Sequence, residues 1–561
     1  MAARPPAARP ADAPAPEPPP GLWKNRLQPF LERRSPVLVV CLLAIAAARV
    51  VATYHVFSNT ADEPTTLGCG LQYLGKHIYQ YEPQHPPLAR VAVAALPYLL
   101  AGARPLGMPD MGDDARTTIF HSPDPTYMLE LMRLGILPFF LLAGFATWIW
   151  ARHHFGNAAG VLALALFTLL PPVLAHGGLA TLDMALTGCL GAAFVAFLLW
   201  AEQPTWQRAF AFGIATALAS VSRFTALGYL PACAGMTLLA WLAVERPNRA
   251  RLLALAKARA ATFGLAVAAG AITIWAVYSF SYGTVPGWNV KLPAPEFFLG
   301  AQQNLSNSQT GHTAFLLGDH GTRGWWYYFP VVLSVKTPIA FLLLLFLGAG
   351  ICVRRRAPVR YLVPLAFTVG ILAPAMNGHV NIGVRHILPI YIAFSVIAAV
   401  GLLQLAEWAD TKKWAGPVAG VLVLWLALTG AIHHPDYLAY FNEFAGSHPE
   451  NIVVDSDYDW MQDTKRLAAR LRELGINEVN YGWLLDNQAL WPELPPTKKI
   501  NPIEPAEGWT AVSPTIDKIV QYGLGYQYPN LKPWFDYLPP TERVGTLFLY
   551  YIPPGSLPKK Q

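Results

Sequence analysis

Residues 59–68 read NTADEPTTLG and follow closely on the first long apolar run of the chain, which ends at Phe57. Two adjacent carboxylates, Asp62 and Glu63, therefore stand about five residues beyond an apolar segment long enough to cross a bilayer. Whether that segment is a membrane span decides the fold. A soluble chain carries about 25% charged residues, whereas these 561 residues are 13% charged and 54% hydrophobic, with a mean hydropathy of +0.33. Runs such as Phe341–Gly350 and Gly420–Gly430 lie in apolar windows of about 20 residues, the length that spans about 30 Å of hydrocarbon. The pattern predicts a polytopic α-helical membrane protein.

Outward from that stretch, the apolar windows predict about eleven spans, at 36–57, 131–151, 157–175, 183–200, 208–223, 226–244, 260–280, 328–350, 360–376, 387–405 and 414–432. The net charge of +7 does not point to nucleic acid, because the basic residues cluster between spans. Arg33 and Arg34, the loop Arg246–Arg259, Arg354–Arg360, and Lys412 with Lys413 all fall on one side. The positive-inside rule makes that side cytoplasmic. By alternation residues 58–130, the turn Ala175–Asp183, the loop 281–327, the turn Asn377–His386 and the tail from His433 face outside. Residues 86–103, PPLARVAVAALPYLLAGA, are apolar but short and read as an interfacial helix. Residues 1–35 are Ala/Pro-rich and read as a disordered cytoplasmic tail. They lack the order of a cleaved signal, so the first span is expected to remain as an anchor. The five cysteines lie mostly in or near spans and form no disulfide framework. Residues 433–561 change character. IVVD reads as a strand, TKRLAARLREL as a helix stopped at Gly475, and NEVNYGW and VGTLFLYY as further strands, together a small extracytoplasmic α/β domain.

A partly desolvated carboxylate at the membrane boundary suits a general base, and a pair of them also suits a divalent cation. The alternative for Asp62 and Glu63 is a solvated helix cap. In the same loop, QYEPQHPPLAR (80–90) places His85 before a double proline. Asp183, in HGGLATLDM, sits where the chain re-enters the membrane from the outer side, as a further acid or as an N-cap. Cations occur at membrane depth as well: Arg49 in the first span, Arg223 in ASVSRFTALGYL, Lys336 after GWWYYFPVVLSV, and Arg385–His386 in NIGVRHILP. Singly, each reads as a snorkelling side chain. Together, beside outer-facing carboxylates, they suit an anionic head group, arginine being fitted to bidentate phosphate contact.

In ADEPTT, HPPLAR, AHGGLATLDM, SRFTA, GWWYYFPVVLSVKTP and NIGVRHILP, taken in order, the chain resembles the GT-C superfamily of glycosyltransferases. It is most similar to the branch of protein O-mannosyltransferases and aminoarabinose-type undecaprenyl-phosphate-sugar transferases, over roughly residues 36–470. The resemblance implies a GT-C membrane domain over 36–432 in the bacterial inner membrane, followed by the outer domain. It implies an inverting transfer of a sugar from a polyprenyl-phosphate carrier to an acceptor hydroxyl on a protein, lipid or glycan. Asp62 would be the base, Glu63 its support and Asp183 the second acid. Arg223 matches a position where relatives often carry lysine, and here Ser222-Arg223 keeps the cation with altered geometry. Arg385, His386, Lys336 and Arg49 would be further donor-phosphate contacts. Glu63 and His85 are the candidate ligands of a metal ion in relatives that bind one.

DSDYDWMQDTKR (455–466) imitates a calcium loop, but Trp460 stands where the sharp-turn glycine belongs and Arg466 where the bidentate glutamate belongs; it reads as an acidic turn. Two competing readings remain. One is a transporter or flippase of lipid-linked sugars, which predicts an inverted repeat. The other is a non-catalytic receptor on the same scaffold, against which Asp62, Glu63 and Asp183 argue.

Overall fold

The structure is a computed structural model that describes residues 21–482, 491–518 and 532–557. Residues 1–20 of the expected tail, and Trp483 at the end of NEVNYGW, lie outside the described residues. Lipid offers no hydrogen bonds, so an apolar segment must close its backbone bonds within itself; the chain is accordingly mostly helical. After α1 (Gln28–Val51) come α2 (Glu63–Lys76), α3 (Pro87–Leu100), α4 (Met111–Phe120) and α5 (Pro125–Leu134), the last of which opens the next long span. The bundle continues through α6 (Leu137–Phe155), α7 (Asn157–Thr168), α8 (Pro171–Gly177), α9 (Leu182–Glu202), α10 (Trp206–Ser222), α11 (Ala226–Glu245) and α12 (Arg249–Val277). A hairpin β1–β2 (Tyr282–Thr284, Lys291–Pro293), α13 (Pro295–Thr310) and a hairpin β3–β4 (Ala314–Leu316, Asp319–Gly321) lead to α14 (Tyr328–Lys336) and α15 (Ile339–Arg354). The helical part closes with α16 (Val363–Asn377), α17 (Ile390–Ala409) and α18 (Ala415–Ile432).

Among the described residues seven helices are long and apolar enough to cross a bilayer, or up to nine if two bent pairs each count as one span, against about eleven expected. The chain is a multi-pass membrane protein. The shortfall is physical. The expected spans 208–223 and 360–376 are α10 and α16, of 17 and 15 residues, and α16 reaches only about 22 Å at 1.5 Å per residue. The expected span 157–175 bends by 71° between α7 and α8, and 328–350 bends by 119° between α14 and α15. At the second bend Thr337 is extended and Pro338 follows, because a residue before proline is driven out of the helical region. Helix α17 is central, 89% buried over its apolar window, while α18 leaves Val418, Val421, Leu424 and Leu428 exposed on its outer face.

Two further expectations are corrected. Residues 22–35, read as part of a disordered tail, are helical, and Trp23 and Lys24 donate their N–H groups to Asp410. IVVD is not a strand: Val453 and Val454 are buried between 3-10 turns. The remainder of the tail is a domain in which α19 (Thr464–Glu473) packs beside a five-stranded sheet. Its strands are β5 (Val479–Gly482), β6 (Thr497–Lys499), β7 (Gly508–Val512), β8 (Glu542–Val544) and β9 (Leu547–Ile552), in the order β6-β5-β7-β9-β8. The stretch VGTLFLYY, read as one strand, turns at Gly545, whose φ is +59°, so that β8 and β9 form an antiparallel hairpin.

Candidate functional site

The sheet domain docks through residues 437–465 onto the loops that join the helices at one end of the bundle. Ser58 N donates to Gln462 O at 3.0 Å and Ala61 N to Trp460 O at 3.2 Å. These contacts fix the entry into α2, and with it Asp62. Asp62 immediately precedes α2 but its side chain caps nothing. Its Oδ2 instead accepts from Arg385 Nη1 at 2.6 Å, and the side chain remains 48% exposed. Asp183 lies in the first turn of α9, where Thr181 occupies the N-cap position. It is buried, ion-paired with Arg223 Nη1, and 3.9 Å from Arg385 Nη1.

Arg223 is delivered by the end of α10, where the backbone turns extended, and its Nη2 lies 3.1 Å from His386 Nε2. Arg385 and His386 come from the 3-10 turn Val384–Ile387 ahead of α17. That turn is pinned from the sheet-domain side. Val384 N donates to both carboxylate oxygens of Asp457, at 3.0 and 3.2 Å, and the Arg385 guanidinium lies 4.1 Å above the Trp460 ring. Burial, with Arg223 and Arg385 alongside, holds the pKa of His386 well below the usual histidine range. A neutral imidazole then offers Nε2 as an acceptor to Arg223. Asp62, Asp183, Arg223, Arg385 and His386 thus form one cluster of two carboxylates and two guanidiniums, open to the surroundings at Asp62.

Other sequence-derived candidates are engaged elsewhere. Glu63 is fully buried and points away from its neighbour. It takes Arg133 Nε at 2.9 Å and Nη2 at 3.0 Å, together with Thr60 N and Ala180 N at 2.8 Å each. Burial alone would raise its pKa, but Arg133 and the two N–H donors outweigh it and hold the carboxyl below the usual range. Lys336 Nζ donates to the carbonyls of Leu438 at 2.8 Å and Asp457 at 2.6 Å. Arg49 donates to Gly430 O at 2.8 Å and to the Tyr437 hydroxyl, which ties α1 to the end of α18. Both cations are satisfied by neutral oxygens and lie outside the cluster.

The residues present do not fit the metal considered for Glu63 and His85. Both Glu63 oxygens are filled by donors. Burial, Arg90, Arg223 and Arg385 hold the pKa of His85 well below the ordinary range, so its surroundings are cationic. Among the described residues the group of three side chains spaced for a metal is His153, His154 and Glu202, and it contains neither.

Sequence reasoning missed Arg133, Trp460 and Asp457. Arg133 carries a visible signal, a lone guanidinium in LELMRLGILPFF at the start of an apolar run. It is completely buried and also donates to the carbonyls of Tyr54, Phe57 and Ser58. His176, likewise missed, is buried near Asp183 and its Nδ1 has no hydrogen-bond partner among the described residues.

No protein-family model matches the sequence, and no curated protein does. Solved structures do share its architecture. ArnT from Cupriavidus metallidurans, bound to undecaprenyl phosphate, superposes with a TM-score of 0.50 at 13% identity, over 91% of this chain and 97% of that one. The Archaeoglobus fulgidus oligosaccharyltransferase, tethered with an acceptor peptide containing the NVT sequon, gives a TM-score of 0.51 at 10% identity. That match covers 83% of this chain and 64% of the other. Both are GT-C superfamily proteins. At these identities the likeness is one of fold: the chain has the GT-C architecture expected from its motifs.

Proposed function

We propose that this protein is an inverting, polyprenyl-phosphate-sugar-dependent glycosyltransferase of the mannosyltransferase-like kind, acting on an acceptor hydroxyl of a protein, lipid or glycan. The reading places it in a bacterial inner membrane with the sheet domain outside. One observation carries it: Asp62 is a half-exposed carboxylate at the lip of a cluster whose two guanidiniums are otherwise buried.

In the proposed reaction the acceptor oxygen attacks the anomeric carbon of the lipid-borne sugar. Asp62 takes the hydroxyl proton as the new C–O bond forms. The bond from that carbon to the phosphate oxygen breaks on the opposite face, which inverts the configuration. The electron pair leaves with the polyprenyl phosphate, whose growing charge Arg223 and Arg385 stabilise, the electrostatic contribution that usually dominates such catalysis. Asp183 holds both guanidiniums in place. Arg385 pairs with Asp62, so a donor phosphate that engages this guanidinium draws it away from the base. Glu63 acts as a positioning residue, through Arg133 and the 58–60 backbone.

The test uses purified protein supplied with a polyprenyl-phosphate sugar. Asp62→Asn is expected to lower transfer by about a hundredfold or more, within the range for loss of general-base help, while the carrier still binds. Arg223→Ala is expected mainly to raise the donor concentration required. Undiminished turnover by Asp62→Asn would overturn the assignment.

A further inference from the structure

A second polar site lies at the far end of the bundle. Helix α9 separates Asp183 from Glu202 by nearly all of its 21 residues, about 30 Å at 1.5 Å per residue. There an open cleft of about 410 Å³ is lined by Arg152, His154, Gly156, Arg355, Arg360 and Glu407, among others. Three guanidiniums face a single carboxylate.

Three features separate this cleft from an ordinary basic loop. First, the cations are placed but not neutralised. Arg152 lies 5.0 Å over the Trp148 ring and Arg360 5.5 Å from that of Tyr361, and neither has an ion-pair partner among the described residues. Arg355 donates to Gln404 at 2.7 Å, and Gln404 in turn to Glu407 at 3.1 Å. Second, α7 starts at the cleft. Gly156, with φ +93°, precedes it, and no side chain caps its first N–H groups, although Ala158 and Ala159 are buried. Unfilled N–H groups at a helix start favour an anion. Third, His154 is only 8% exposed, yet its Nε2 has no hydrogen-bond partner among the described residues. A buried polar atom without a partner is uncommon and calls for one.

We propose that this cleft binds a phosphate ester, presented by a lipid head group or free in solution. The guanidiniums supply charge-assisted bonds, and the start of α7 supplies further donors. A cation is the weaker fit. His153, His154 and Glu202 have ligand atoms within 4.8 Å of one another, but His153 Nε2 already pairs with Glu202 at 2.8 Å, and the adjoining arginines repel a metal.

The test compares two double variants of the full-length protein in neutral detergent. R152A/R360A removes two charges from the cleft; R354A/R356A removes two exposed charges beside it. One arm reads retention of phosphatidylglycerol by native mass spectrometry, and the other reads inorganic phosphate binding by calorimetry. R152A/R360A is expected to weaken binding about tenfold or more, the scale of losing charge-assisted contacts, with R354A/R356A close to wild type. Loss in the lipid arm alone assigns a head group; loss in the phosphate arm assigns a soluble ester. Equal weakening by the two pairs, no binding in either arm, or Zn²⁺ binding abolished by His153→Ala without any phosphate binding would each overturn the proposal. Should R152A/R360A not fold, the single substitution Arg360→Glu on its exposed turn gives the same readout.

Discussion

Consecutive side chains at a helix start point about 100° apart, so Asp62 and Glu63 leave the beginning of α2 toward different surroundings. Asp62 reaches the guanidinium of Arg385, while Glu63 turns into the protein against Arg133. A buried pair broken on one side leaves an uncompensated charge, at a cost of about 3–5 kcal/mol. Glu63→Gln is therefore expected to lower thermal stability in detergent markedly, whereas Asp62→Asn at its half-exposed position leaves melting nearly unchanged. Acid adds a second check. The folded pKa of Glu63 lies below its ordinary value of 4.5, so its ionised form contributes stability in full above about pH 4.5. That contribution is lost as pH falls through the folded value. The difference in melting temperature between wild type and Glu63→Gln should accordingly shrink on going from pH 6 toward pH 3, and a constant difference would show that Glu63 does not act as the buried anion.

Between elements, the site depends on how closely α15 meets α17, because the turn bearing Arg385 and His386 leads directly into α17. The two backbones approach through Gly348 and Gly401: a side chain on Gly348 would overlap the carbonyl of Ile397, and one on Gly401 that of Leu344. Small residues at such crossings let membrane helices pack closely. Gly348→Leu is expected to cost at least the 1–3 kcal/mol typical of overpacking and to lower melting and transfer together. Gly350→Leu, two residues on and facing open space, should change neither. At this scale the helices were legible in the sequence because length and hydropathy set them directly. The breaks were not: the 119° bend at Thr337–Pro338 sits inside one continuous apolar window, and the signal lies only in the proline. IVVD misled for a related reason. An apolar β-branched run reports burial, and Val453 and Val454 are buried, but it does not report whether a strand is available to pair with. At Arg49 and Lys336 the sequence required a partner for a cation at membrane depth, and it did not name the carbonyl and hydroxyl oxygens that the fold brings to them. Arg223 and Arg385 looked the same in sequence, and only the fold brings those two to Asp183.

Across the whole molecule, the basic segments gather at the end away from the sheet domain. Arg259 donates to Ala201 O at 2.6 Å, next to Glu202. His153 pairs with Glu202, Phe155 packs on Tyr361 at 5.3 Å, and Arg355 reaches Gln404. The start of α12 and the segment 354–361 thus share one end of α9, and Asp62, Asp183 and the sheet domain share the other. This segregation is what the positive-inside rule requires of a span-and-loop pattern, and the proposed reaction depends on its direction, since that proposal draws its lipid-borne donor from the outer leaflet. The direction can be read in a Cys41→Ser background, where the one cysteine exposed among the described residues is removed. Lys499→Cys, exposed on β6, should react with a membrane-impermeant maleimide on intact spheroplasts. Lys257→Cys, exposed on α12, should react only after lysis. Labelling in the opposite order would put the carboxylate cluster in the cytosol and remove the proposed transfer, while leaving the phosphate-ester cleft at the other end of α9 to be judged by its own binding data.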